Sequence, residues 1–302
     1  MMQPASPDPV TLQATGAVAR RQALSRLSRY ALLAISLLGV AILFVLGYIT
    51  VGDGTGRIDL DFLTNYPSRF ADQAGLRSSA LGTIWVLSTT IVLAIPVAVG
   101  TAIWIEEFAP RNALLTFVKL NLANLAGVPS IIYGILGLAV FVRFADLGPS
   151  ILAGALTLTL MIIPMTVIAS QEAIKQVPPS IREGALAVGA TQWQTVWYHV
   201  LPSALPGIIT GVILSVSRAA GETAALIMIG AFTFIAFDHS LNPAEALRDD
   251  FTTIPIQIYN WTIRPQEAFR ENAAAAIILL MVAVFALNLT AALIRERFRR
   301  SL

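Results

Sequence analysis

Residues 147–202 read LGPSILAGALTLTLMIIPMTVIASQEAIKQVPPSIREGALAVGATQWQTVWYHVLP. The first part, Leu147–Gln171, contains no Asp, Glu, Lys or Arg. A bilayer core of roughly 30 Å takes about 20 apolar residues as a helix, so this run is long enough to cross one. Charges then appear in 172–202, and a long apolar stretch resumes at Leu201. A membrane span, a polar excursion and a second span organise the rest of the chain.

The excursion has its own local logic. Pro178-Pro179 stops the preceding helix. Ser180 followed three residues later by Glu183 predicts a capping box. Gly189 suits the left-handed position that ends a helix. Thr191 with Gln194 predicts a second capping box, and Pro202 is expected to end the second helix. The predicted unit is helix–glycine–helix, projecting from the membrane, with Trp193, Trp197 and Tyr198 on its second helix. On periodicity alone it also reads as an interfacial helix pair with aromatics at headgroup level.

Further uncharged runs lie outward from this segment: Tyr30–Val51, Ser78–Ile105, Leu120–Val142 and Asn272–Ile294. Leu201–Phe237 is broken only by Arg218 and Glu222. Counting it once gives six spans, at 30–51 and near 78–105, 118–142, 149–171, 206–231 and 272–294. The predicted fold class is all-α integral membrane, a six-helix bundle. Residues 1–29 are rich in Pro, Ala, Ser and Gln and predict a mobile tail. The basic flank of Tyr30–Val51 fits a signal peptide. Its apolar core is too long and no small-residue cleavage site follows, so it reads as a retained first span.

Composition agrees. Of 302 residues, 56% are hydrophobic and 13% charged, against roughly a quarter charged in a soluble domain. Mean hydropathy is +0.73. A single water-soluble enzyme domain is excluded. The chain has no cysteine, which removes disulfides, thiol catalysis and thiolate metal sites. Two histidines, His199 and His239, do not make a multi-histidine metal centre. A net charge of +2 gives no case for nucleic acid.

The 20 basic residues sort by position. Twelve lie at the two termini, in 106–119 and in 172–200, and seven lie in the alternate loops. The positive-inside rule places both termini in the cytoplasm. A P-loop needs Gly-x-x-x-x-Gly-Lys-Ser/Thr. Neither lysine, Lys119 or Lys175, has that context, so the chain itself carries no P-loop.

Arg218 and Glu222 stand inside an apolar span, each at a cost of about 2.5–3.5 kcal/mol at a helix centre. Four residues apart, they would share one helical face and could pair. One reading is a buried ion pair that locks two helices. The other is a polar site facing the bundle interior, where a guanidinium forks onto an oxyanion.

Two sets of motifs carry a family resemblance. Glu183-Gly184-Ala185, then Gly189, then Leu201-Pro202 resembles the coupling signature of membrane subunits of bacterial ABC importers. Gly184 stands where the family has Ala, which loosens the first helix by up to ~1 kcal/mol, and His199 stands where Ile is usual. Arg218-Ala219-Ala220-Gly221-Glu222-Thr223-Ala224 resembles the Arg-Ala-x-Gly-Glu-Thr-Ala motif of phosphate importer permeases. Gly127–Gly134 and Thr253–Trp261 are similar to further motifs of that family, and the likeness runs from about residue 75 to the C-terminus. The PstA-type permease is most similar, with the PstC type as its sister.

The resemblance implies a type I ABC importer architecture over 78–302, with 172–202 as a coupling loop docking on an ATPase through Glu183, Gly184, Ala185, Gly189, Leu201 and Pro202. It implies a substrate path at Arg218, Glu222 and Thr223. It implies a second permease (PstC-type), two ATPase copies (PstB-type) that bind ATP and Mg, and an extracytoplasmic phosphate-binding protein (PstS-type). No cofactor is expected in this chain. Alternatives are a permease for molybdate or sulfate and an ion-driven secondary transporter. A membrane-embedded signalling or scaffold protein is a third.

Lesser signals complete the reading. Asn121, Asn124 and Asn288 are expected to bond between helices. Gly127 and Pro129 are expected to kink the third span. Glu106-Glu107 read as a solvated face, Arg143 and Asp146 as a solvated pair, and His239 as an exposed loop residue. Residues 238–271, with Pro255, Tyr259 and Trp261, predict a packed lid.

Overall fold

The computed structural model describes residues 16–300 apart from 233 and 241. Helix α1 spans Gly16–Gly54, α2 Leu60–Thr64, and α3 Arg77–Ile103, which continues as a π-turn over Trp104–Phe108. Helix α4 spans Ala113–Ala126, and α5 spans Ser130–Gly137 with a π-turn over Leu138–Phe144. Helix α6 spans Ile151–Lys175 and α7 Pro179–Ala187. Helix α8, Gln192–Thr195, passes through a π-turn at Val196–Val200 into α9, Leu201–Ala220. Helices α10 (Ala224–Met228), α11 (Pro243–Ala246), α12 (Ile254–Thr262) and α13 (Ala268–Arg300) complete the chain. Among the described residues, five helices are long and apolar enough to cross a membrane, and a sixth span results if the bent pair α4–α5 is counted.

The chain divides into two units, with the boundary between Thr50 and Val51. In the first unit, α1 is a long apolar helix. Its start at Gly16 makes residues 16–29 helical where a tail is expected, while residues 1–15 of that tail lie outside the described residues. Arg20, Arg21, Arg26 and Arg29 therefore ride on one continuous helix with the apolar run.

In the second unit, α6 is the central post, two-thirds buried along its apolar window, with α3 and α9 against it. Lipid offers no hydrophobic drive between helices, so close approach through small residues has to hold them. Ala94, Ala98 and Ala102 form a fully buried stripe on α3. Gly207 and Gly211 of α9 face Ala173 and Ala169 of α6; a Cβ at Gly211 would come to 2.5 Å from that of Ala169. Ser150 caps α6 by accepting the Ala153 amide. Asn288 accepts from Ser217 at 2.5 Å, the expected interhelical bond between α13 and α9. Asn121 and Asn124 depart from that expectation: both are exposed, and Asn121 bonds its own helix at Phe117.

Three expected spans or ends change shape. The third span is not a kinked helix but two helices meeting at 101° across Gly127–Pro129. The fifth is helical only to Ala220, then breaks at Gly221 before the short α10. Pro202 does not end a helix. It sits in the first turn of α9, where a missing amide costs little, and the π-turn before it passes the chain on unbroken.

At the end away from the 172–202 loop, residues 231–271 pack as a lid over the starts of α3 and α6. Trp261 and Phe251 are fully buried. The Leu152 amide donates to Leu247, the Ser78 hydroxyl to Ile235, and the Ile254 amide to the Thr83 hydroxyl. Arg77 clamps Asp238 through both carboxylate oxygens, Nε to Oδ1 at 2.8 Å, and this holds the Asp238 carboxyl below the usual carboxylate range. Arg57 donates to Asn272 and to the carbonyls of Asp72 and Ala74, pinning the long 55–76 connection.

His239 is buried rather than exposed: its side chain is 1% accessible and neither ring nitrogen has a hydrogen-bond partner. Burial pushes its pKa down, opposed by Asp249, whose Oδ2 lies 3.6 Å from Nδ1. The open loop therefore takes a proton first as pH falls. The stabilisation is whole above the ordinary histidine value of about 6.5 and is lost below it. Hydrogen exchange of residues 236–250, corrected for intrinsic rates, should show weaker protection at low pH than at neutral pH. A His239→Gln chain should lose that dependence.

Candidate functional site

The 172–202 loop is built from its two ends. Pro178 occupies the N-cap of α7 with no side-chain cap, and Pro179 takes the first turn. The Ser180–Glu183 capping box is therefore absent. Glu183 is exposed, and its side chain has no hydrogen bond or ion pair among the described residues. Gly189 adopts φ +89, and the Ala190 amide closes back on Ala185 at 3.1 Å. The second capping box is present: the Gln194 amide donates to Thr191 Oγ1 at 3.2 Å, and the Thr191 amide donates to Gln194 Oε1 at 2.8 Å.

Glu183, Gly184 and Gly189 lie on the loop's exposed surface beside Leu186 and Val188, the latter 85% exposed. Ala185 is buried, and Leu201 and Pro202 open α9 instead of sitting at the tip. Trp193 and Trp197 stack at 5.8 Å, with Phe108 5.9 Å from Trp193.

Glu106 and Glu107 are not a solvated face. Glu106 pairs with Lys119 at 2.9 Å. Glu107, whose side chain is 9% exposed, accepts from Arg182 Nη2 at 2.7 Å and Nε at 3.1 Å. Sequence reasoning missed this pair. Its available signal was two carboxylates at the end of an uncharged run opposite a basic loop.

Arg218 and Glu222 do not pair. The helix ends at Gly221, so the four-residue spacing no longer places them on one face. Glu222 turns to α10 and accepts the Ala225 amide at 3.1 Å. Thr223 is half-buried. Arg218 is exposed, its side chain has no ion pair or hydrogen bond among the described residues, and it lies near enough to the Tyr133 phenol for its charge to act there. Tyr133 donates to the Leu125 carbonyl at 2.8 Å, bracing the bend between α4 and α5. Gly134 of α5 abuts the Ala225 backbone of α10. The two broken segments thus meet beside Arg218. Irregular backbone at membrane depth is tolerated where protein buries it or a watery path runs.

The cavity at Glu222 has a volume of about 10 Å³, room for roughly one water. Grooves of about 350 and 620 Å³ are lined almost wholly by apolar side chains, which suits no oxyanion. Among the described residues, no three His, Asp or Glu side chains are placed to hold a metal ion.

A bundle wound on one buried helix, with an exposed helix–glycine–helix loop between two of its spans, has the fold of type I ABC importer membrane subunits. The chain belongs to the family of binding-protein-dependent transport system inner membrane components, whose family model matches residues 74–301. It is 31% identical over 230 residues to the phosphate transport system permease protein PstA 1 of Mycobacterium tuberculosis (strain CDC 1551 / Oshkosh), covering 76% of this chain and 72% of that one. It is 29% identical over 245 residues to the probable ABC transporter permease protein YqgI of Bacillus subtilis (strain 168), covering 77% and 82%. The fold is similar, with a TM-score of 0.62 and 17% identity, to a solved bacterial ABC transporter involved in the import of the acidic polysaccharide alginate. That match covers 91% of this chain and 99% of the other.

Two glycines in the loop predict opposite outcomes. A Cβ at Gly184 meets nothing within 4 Å, so Gly184→Ala should firm α7 by up to about 1 kcal/mol. Gly189→Ala, at φ +89, should cost about 1–2 kcal/mol. Exchange protection of the 179–195 amides should rise in the first variant and fall in the second.

Proposed function

We propose that this chain is the membrane subunit of an ATP-driven phosphate importer, residing in the inner membrane with both termini cytoplasmic. The observation that carries the reading is Arg218, a permanent cation exposed and unpaired inside an apolar span, beside two broken helices. Leaving it so costs about 2.5–3.5 kcal/mol, and a fork of N–H donors suits a tetrahedral oxyanion. The name of the M. tuberculosis relative supports phosphate as that oxyanion.

The geometry also supports a second permease. Arg218 points outward, and the cavity on the inner side, at Glu222, holds no more than about one water. The path therefore forms where a homologous partner of the PstC type closes over the Arg218 face. Glu222 keeps α10 in place through the Ala225 amide, and its carboxylate can accept from a proton-bearing phosphate. Thr223 adds a hydroxyl.

Energy comes from two PstB-type ATPase subunits, which hold ATP and Mg. They grip the exposed surface at Glu183, Gly184 and Gly189, with Ala185, Leu201 and Pro202 setting the loop's shape. A PstS-type binding protein delivers phosphate to the lid at the opposite end. Closure of the ATPases on ATP pulls the loops together and rocks the two permeases between outward and inward access.

In a strain lacking its own permease, Arg218→Ala should lower phosphate uptake at least tenfold, about 1.4 kcal/mol, at unchanged membrane levels. Full uptake would remove Arg218 from the path. Glu183→Lys should abolish co-purification with the ATPase, and intact co-purification would remove the docking role.

A further inference from the structure

The loop is joined by covalent chain to α6 on one side and, through α8, to α9 on the other. Helix α3 packs along α6 but has no chain connection to the loop. What joins it is a set of contacts at its last residues, Glu107 and Phe108. We propose that Arg182 and Glu107 form a strut that passes movement of the 172–202 loop into α3, so that three helices of the bundle answer to the loop instead of two. This inference rests on the importer reading above.

One guanidinium does two tasks. Its Nε and Nη2 edge holds the Glu107 carboxylate, at 3.1 and 2.7 Å. Its Nη1 donates to the Val177 carbonyl at 2.7 Å, and Nη2 donates also to Ile174 at 3.0 Å. Val177 lies in the turn between α6 and α7, and Ile174 in the last turn of α6. Arg182 therefore fixes the angle of α7 on α6 and ties both to α3. A planar fork with five donors does this, and an ammonium with a single centre does not. Low exposure strengthens the pair, because little water competes for either charge.

The neighbouring contacts point the same way. The Gln192 side-chain amide donates to the Glu107 carbonyl, and the Trp193 ring lies against Phe108. Both helices of the loop thus reach the end of α3, α7 at Glu107 and α8 at Glu107 and Phe108. The π-turn at Trp104–Phe108 lies at this junction. A π-turn widens the helix by one residue and recurs at functional sites. The adjacent pair, Glu106 with Lys119, links α3 to α4 and, among the described residues, makes no hydrogen bond or ion pair to α7 or α8, though the Glu106 charge reaches Lys175 at the end of α6.

The test uses the whole complex in vesicles: this chain, its second permease, the ATPase subunits and phosphate-loaded binding protein. Arg182→Lys and Glu107→Gln should assemble and hydrolyse ATP at the unstimulated rate of the native complex. Stimulation by the binding protein should drop at least about fivefold, the lower bound of a typical coupling free energy. Glu106→Gln should leave stimulation unchanged. Native stimulation in both strut variants would overturn the proposal. So would failure to assemble, which would make the pair a brace only, or an equal loss in Glu106→Gln. A native complex that takes up no phosphate on ATP would instead overturn the importer reading.

Discussion

A charge at the edge of a bilayer must be paired, led to water, or left for something that will pair it. The second unit of the chain is arranged around that constraint. At the loop end, Glu107 meets Arg182 and Glu106 meets Lys119. At the opposite end, Arg77 meets Asp238, and Arg57 is spent on Asn272 and on the carbonyls of the 71–74 turn. Removing one member of a shielded pair such as Glu107–Arg182 typically costs about 3–5 kcal/mol, because the other is stranded, whereas an exposed pair such as Arg77–Asp238 orders its ends with little net stability. The paired charges therefore lock the ends of the helices and set how the loop and the lid sit. Arg218, inside a span, has no side-chain partner among the described residues, which is why the proposed path is placed there.

Between the charged ends the bundle relies on close approach. Ala94, Ala98 and Ala102 on α3, and Gly207 and Gly211 against Ala173 and Ala169, allow backbones to touch without hydrophobic drive. Those rigid contacts leave the irregular geometry to two places, the 101° bend at Gly127–Pro129 and the break at Gly221. The breaks lie together beside Arg218, while the continuous helix from Gln192 to Ala220 runs from the loop to that same point. One element thus spans from the exposed loop to the exposed arginine.

Much of this was legible in the sequence because membrane spans obey a one-dimensional rule. Uncharged runs located the helices, and Gly189 and the Thr191–Gln194 box located the turn of the loop. What failed depended on register or on tertiary partners. Pro178 took the N-cap, shifting Ser180 into the helix and freeing Glu183. The π-turn let the chain run past Pro202. Gly221 ended α9 before Glu222, so a spacing that predicts pairing on a helix predicted nothing across its end. Glu107 and His239 read as solvated because their cover comes from residues far away in sequence, Arg182 for Glu107 and α3 around Gly82 for His239.

On the proposed function, this chain is a conduit whose energy and half of whose path come from other subunits. The most direct measurement is uptake of labelled phosphate into vesicles containing this chain alone, and this chain with its second permease, ATPase and binding protein. The account predicts no uptake in the first case. In the second it predicts uptake that requires ATP on the ATPase side and survives an excess of sulfate and molybdate. Phosphate movement by the chain alone would contradict it, as would an ATP-driven complex that carries those other oxyanions and leaves phosphate behind.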